Sequence, residues 1–119
     1  ASSITSLPLL SGDDAMTLPL MSLGAVGVIA TLSNLFPEEM GALVRAASKG
    51  EYDLASELHH QLMPLFTALS IEANPVPLKY AMESLGFPVG TPRLPLTPLG
   101  IEGRAPLEKA LKRAQGLAL

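Results

Sequence analysis

The sequence predicts a parallel α/β fold of which this chain holds only a part, and three observations carry that expectation. Two short apolar runs, at residues 7–10 and 27–32, each lead into a segment that reads as a helix. Neither run alternates polar with apolar residues, the pattern of strands covered on both faces as in parallel sheets. Everything after Gly50 reads as helix apart from one proline-rich stretch. Two parallel strands alone would expose unpaired backbone groups along their edges, so further strands are expected, upstream in the same polypeptide or in a partner chain.

In order along the chain, Leu7–Leu10 reads as a buried strand closed by the polar turn Ser11-Gly12-Asp13-Asp14. Asp13 or Asp14 is placed to cap a helix over Ala15–Leu23, a carboxylate accepting from amides that the first turn leaves unpaired. Leu18, Met21 and Pro19 are expected to face inward, with Gly24 ending the helix. The β-branched run Gly27–Leu32 reads as the second strand. A second helix starts after Asn34, with Pro37 in its first turn, Glu38 and Glu39 beside its positive end, and Met40, Leu43, Val44 and Ala47 on one face. It stops near Lys49-Gly50.

The third helix is expected over Glu51–Ser70, where Leu54, Leu58, Leu62, Leu65, Phe66 and Leu69 recur at helical spacing and Pro64 should kink or split it. Asn74-Pro75-Val76-Pro77 opens a fourth, Val76–Leu85, ended by Gly86. Phe87 to Gly100, with Pro88, Pro92, Pro95 and Pro98, must be extended or looped. The last helix is expected over Arg104–Gln115, beginning around Pro106, with Lys109, Lys112 and Arg113 late, where the dipole favours them.

Composition narrows the function. Of the 119 residues 48% are hydrophobic and only 16% charged, where about 25% is usual, so disorder is excluded and much of the surface is expected to meet other protein. The net charge of -3, with few basic residues and no interleaved aromatics, argues against nucleic acid. With no Cys, disulfides, Cys–zinc sites and thiol catalysis are excluded, and an intracellular setting fits. The weakly polar stretch Leu18–Leu32 is broken by Pro19, Ser22, Gly24 and Gly27 and falls short of the ~20 apolar residues of a membrane span. No secretion signal opens the chain, nor does an initiator Met, and it is expected to begin partway through something longer.

Few side chains suggest chemistry. The turn Ser11–Asp14 follows the carboxyl end of a strand, where parallel α/β folds bind ligands, although by itself a helix cap with a turn glycine is the simpler reading. His59 and His60 are adjacent on a helix, point about 100° apart, and do not share a metal ion easily. Lys49, Lys79, Lys109 and Lys112 include no lysine following a strand, the place of an imine-forming residue, and each reads as structural. No phosphate-binding glycine loop occurs.

The stretch LPLLSGDDAMTLPLMSLGAVGVIATLSNLFPEEM, followed by ELHHQLMPLFTALSIEANPVPLKYAMESLG and RLPLTPL, resembles the dihydrodipicolinate synthase family in order and spacing over about residues 7 to 116. The combination of S-G-D-D, G-V-I, E-A-N-P-V-P-L-K and R-L-P-L-T-P-L carries the likeness. It implies the C-terminal portion of a (β/α)8 TIM barrel: the last two strand–helix units over residues 1–50, then a three-helix C-terminal region over residues 51–119. It also implies the family's reaction, in which pyruvate, held as an imine on a lysine, condenses with aspartate semialdehyde on the route to lysine.

By that resemblance the Ile29 backbone carbonyl orients pyruvate, Gly12 and Asp13 line the pocket mouth, and Ser22 and Leu23 match a weaker subunit contact of a homotetramer. The imine lysine, the tyrosine relay, the threonine pair and the arginine for the second carboxylate match earlier strands, so no catalytic residue is expected here and the segment alone should be inactive. The remainder of the barrel is then its first partner. No cofactor, metal, nucleic acid or membrane is implied, and the compartment is the cytoplasm, or the plastid in a plant. The competing readings are another pyruvate-type aldolase of the superfamily, N-acetylneuraminate lyase-like, and a non-catalytic assembly module.

Overall fold

The structure, a computed structural model, describes residues 6–116; the outer ends of the two expected segments, residues 1–5 and 117–119, lie outside them. Among the described residues two strands, two short 3-10 turns and five α-helices follow in order: β1 (Leu10–Ser11), a turn at Asp14–Met16, α1 (Thr17–Ser22), β2 (Gly27–Val28), a turn at Leu32–Asn34, α2 (Pro37–Ser48), α3 (Tyr52–Leu69), α4 (Val76–Ser84) and α5 (Ile101–Gly116). The chain divides into two compact units, Ala1–Met63 and Pro64–Leu119.

In the first unit β1 and β2 pair in parallel, Leu10 opposite Gly27 and Ser11 opposite Val28. Val26 N–H donating to the Leu9 carbonyl (2.8 Å) and Ile29 N–H to the Ser11 carbonyl (2.9 Å) extend the ladder one step at each end. Both strands are shorter than the sequence suggests. Leu7, Leu9 and Leu10 are more than half exposed rather than buried, and β1 includes Ser11, which the sequence assigns to the turn. The second run pairs only at its start. At Thr31 and Leu32 a carboxylate takes the amides that a longer ladder would use, and the chain turns into a 3-10 helix there.

The helix expected over Ala15–Leu23 is a 3-10 turn followed by the short α1. Pro19, which has no N–H to give the Ala15 carbonyl, sits in the first turn of α1, where that missing bond costs least. Met21 is buried and Leu18 half-buried, but Pro19 faces outward, against expectation. Gly24, with φ of 111°, turns the chain back toward β2 in a conformation that only glycine adopts freely. α2 runs as anticipated, burying Met40, Leu43, Ala46 and Ala47, and packs against α1 and the preceding 3-10 turn.

α3 is continuous through Pro64, neither split nor ended there. Its buried face runs Ala55, Leu62, Leu65, Phe66 and Leu69; Leu54, next to Ala55 and so about 100° around the helix, is 46% exposed rather than inward.

In the second unit α4 buries Val76, Pro77, Leu78 and Ala81, and α5 buries Leu107, Ala110, Leu111 and Ala114. The residues between α4 and α5 have no regular structure, as their prolines require, apart from isolated turns. α5 begins at Ile101, five residues before Pro106. Pro106 removes one bond, to Glu102, but both residues lie on the exposed side, where water satisfies the carbonyl, so the helix runs through.

Candidate functional site

The parallel register decides what the first unit brings together. Gly12 and Asp13 follow β1 immediately and Ile29 follows β2, so all three stand at the carboxyl edge of the two strands. The bond from Ile29 N–H to the Ser11 carbonyl ties the two segments directly. This is the edge at which parallel α/β folds bind ligands.

Local side chains shape the first of these segments. Ser11, 1% exposed, donates its hydroxyl to the Asp13 carbonyl at 2.7 Å and accepts from Asp13 N–H at 3.1 Å, closing a tight turn around Gly12. A Cβ at Gly12 would meet nothing within 4 Å, so Gly12 keeps this spot open toward solvent. Asp13 is exposed, and its Oδ1 accepts from Ala15 N–H at 3.0 Å, capping the 3-10 turn.

The neighbouring aspartate does something that spacing alone does not reveal. Asp14 is 9% exposed, and its two oxygens accept from different amides far along the chain, Thr31 N–H at 2.9 Å and Leu32 N–H at 2.8 Å. Its own carbonyl accepts the hydroxyl of the fully buried Thr17 at 2.8 Å. The sequence offered either aspartate as a cap; Asp13 caps locally, whereas Asp14 ties the first strand–helix unit to the second. Nothing in the sequence tells the two aspartates apart.

Ser22 and Leu23 end α1 and precede the return to β2, so they lie at the other edge of the strand–helix–strand unit from Gly12, Asp13 and Ile29. Leu23 is 71% exposed and Ser22 donates to the Pro19 carbonyl at 2.6 Å.

Among the described residues, the remaining polar groups make separate local contacts. The His59 and His60 rings meet edge to face at 5.4 Å; partial burial, then the charge of His60, holds the His59 imidazole below its ordinary pKa. Lys79 Nζ reaches the Thr91 carbonyl at 3.5 Å, a structural contact. The Tyr80 hydroxyl donates to Glu108, which pushes the phenol's pKa up, and the Arg104 guanidinium sits 5.7 Å from the Tyr80 ring centre. The hollow beside Lys79, Tyr80, Glu83 and Gly90 holds about 110 Å³, too little for an ordinary small-molecule site of about 300 Å³ or more. Among the described residues no group of three or more His, Cys, Asp and Glu is placed to hold a metal, and no helix is long and apolar enough to cross a membrane.

Comparison with known proteins gives a consistent result. The profile of the dihydrodipicolinate synthetase family matches residues 2–114. The 4-hydroxy-tetrahydrodipicolinate synthase of Methanococcus vannielii is 44% identical over 108 residues, which are 91% of this chain and 37% of that protein. The one from Synechococcus elongatus is 45% identical over 106 residues, 89% of this chain and 36% of its own length. Among solved structures, dihydrodipicolinate synthase from Aquifex aeolicus superposes with a TM-score of 0.89 at 44% identity, covering 92% of this chain and 38% of that one. The Thermotoga maritima enzyme gives 0.91 at 34% identity, with 96% and 39% covered. The chain thus spans a little over a third of the length of the relatives it matches.

Proposed function

The chain belongs to the dihydrodipicolinate synthetase family, and from that premise we propose that it is the C-terminal portion of a pyruvate-dependent synthase. Residues 1–50 supply the last two strand–helix units of its barrel and residues 51–119 its C-terminal helical region. The complete enzyme condenses pyruvate with aspartate semialdehyde. A lysine amine on an earlier strand adds to the pyruvate keto carbon, water leaves, and the resulting imine withdraws electrons from the methyl group. That group then loses a proton and its carbon attacks the aldehyde.

The observation that carries this reading is the shared strand edge: Gly12 and Asp13 stand beside Ile29 where a substrate entering the barrel would meet them. In this role the Ile29 carbonyl accepts a hydrogen bond that orients bound pyruvate, and Gly12 and Asp13 line the mouth through which the second substrate arrives. Ser22 and the exposed Leu23, at the far edge, serve the weaker contact of a homotetramer, away from the chemistry. Such an enzyme works in the cytoplasm without a cofactor.

Incubating the full-length polypeptide with pyruvate and borohydride, then mapping the adduct by mass spectrometry, tests the proposal. A modified lysine outside these 119 residues is the expected result. No adduct, or one on Lys49, Lys79, Lys109 or Lys112, would overturn it.

A further inference from the structure

A backbone carbonyl that orients a substrate must be held still by something other than the substrate, and the structure shows what holds the one at Ile29. The Ile29–Ala30 peptide lies between two amides that are both anchored to the β1–α1 segment. On one side Ile29 N–H donates to the Ser11 carbonyl at 2.9 Å; on the other Thr31 N–H donates to Asp14 Oδ1 at 2.9 Å, and Leu32 N–H to Asp14 Oδ2 at 2.8 Å. The following carbonyls are all engaged. Ala30 accepts from the Ser33 hydroxyl at 2.9 Å, Thr31 from Asn34 N–H and Nδ2, and Leu32 from Leu35 and Phe36. Among the described residues no hydrogen bond engages the Ile29 carbonyl itself. The turn therefore presents one open acceptor at the strand edge, between two fixed points.

We propose that Asp14 is a positioning residue for pyruvate: its carboxylate, by gripping the Thr31 and Leu32 amides, sets the direction of the Ile29 carbonyl before substrate arrives. The inference rests on the synthase reading given above. Three features support preorganisation. Asp14 is 9% exposed, so its bonds face little competition from water. Both oxygens are used, which fixes the carboxylate plane, and bonds to an ionised acceptor are stronger than neutral ones. The Thr17 hydroxyl, fully buried, bonds the Asp14 carbonyl and steadies the backbone that carries the carboxylate. Asp14 touches no substrate; it acts through Ile29.

The test uses the full-length enzyme and the variant Asp14→Asn, which keeps the side chain's size but turns one acceptor into a donor facing an amide. The expected result is a roughly tenfold rise in the KM for pyruvate, with the KM for aspartate semialdehyde unchanged and imine trapping by borohydride retained at saturating pyruvate. Leu43→Ala, in the core of α2, serves as the control: it should lower the melting temperature and leave the pyruvate KM alone. A pyruvate KM that stays at the wild-type value in Asp14→Asn, or that rises equally in Leu43→Ala, overturns the inference while leaving the synthase reading intact. Absence of any imine in the wild-type enzyme would instead defeat the synthase reading.

Should Asp14→Asn not fold, amide exchange in the wild-type enzyme decides. Slow exchange at Thr31 and Leu32 before pyruvate is added supports the clamp. Fast exchange that slows only when pyruvate binds would mean that the substrate orders the turn, and the proposal would fall.

Discussion

In the strand-bearing unit the long-range side-chain bonds converge on one point, Asp14 reaching Thr31 and Leu32; in the helical unit they are spread out, the Tyr80 hydroxyl donating to Glu108 and Glu72 accepting from Gly100 N–H at 2.9 Å. The two units also differ in how they treat apolar side chains. Leu9, Leu10, Val26 and Ile29 lie in or next to the two strands and are all more than half exposed. In the helical unit the large exposed residues Ile71, Phe87, Leu94 and Ile101 are far apart in sequence, between helices or at the start of α5, while Leu65, Leu107 and Leu111 are almost wholly buried. Helices satisfy their own backbone and can close a core with a local neighbour, whereas a strand face is completed only by further strands. The strands of the first unit thus leave apolar side chains uncovered, whereas Leu65, Leu107 and Leu111 of the helical unit do not.

Substitutions sharpen this contrast, beginning with the largest effect. Leu107→Ala, at a fully buried position of α5, should cost about 3 kcal/mol in a denaturant titration, through lost burial and the cavity left behind. Asp14→Ala in the other unit should cost about 2 kcal/mol, because it strands two amides without an acceptor rather than emptying apolar volume. Leu10→Ala separates the units most clearly. In the 119-residue chain, where Leu10 is 53% exposed, the change should stay within about 0.5 kcal/mol, and in the full-length enzyme it should reach about 2 kcal/mol. Equal costs in the two settings would break the comparison.

Two smaller effects belong to the helices. Pro106→Ala restores an N–H within α5 and should raise the melting temperature by the equivalent of about 1 kcal/mol, after allowing for the unfolded chain's gain in freedom. The smallest effect is one of pH. Burial, and then His60, depress the pKa of His59 in the folded state, so the unfolded chain binds a proton more readily. Stability should therefore be undiminished well above pH about 6.5 and decline slightly as the pH falls through that value, where unfolded chains take up the proton first. A pH series of melting temperatures on wild type and His59→Gln checks this, the variant showing the flatter profile.

The helices were legible because their signals are local. Pro37 with Glu38 and Glu39 marked the start of α2, and Gly86, with φ of 93°, the end of α4. Where competing local signals met, the reading slipped. Pro106 looked like a helix start, yet a proline on an exposed face of a helix that packs Leu107 and Leu111 removes only one solvated bond. The strands were placed but drawn too long, since their pairing depends on partners that composition does not name. At the candidate site, Gly12, Asp13 and Ile29 were expected only from the family resemblance, and the register places all three at one strand edge. The role of Asp14 was hidden, because two adjacent aspartates look alike until a bond across 17 residues tells them apart.

That bond also shapes how the sequence can drift. Asp14 holds main-chain amides, and every amino acid except proline offers the same N–H. The demand falls on one partner alone: position 14 must keep its carboxylate, while the half-buried Thr31 is open to replacement and the buried Leu32 answers only to the space around it. Among divergent copies of this segment, an aspartate that stays while residue 31 wanders would be the trace of that asymmetry, and a proline at 31 or 32 would be the one change that substitution elsewhere could not repair.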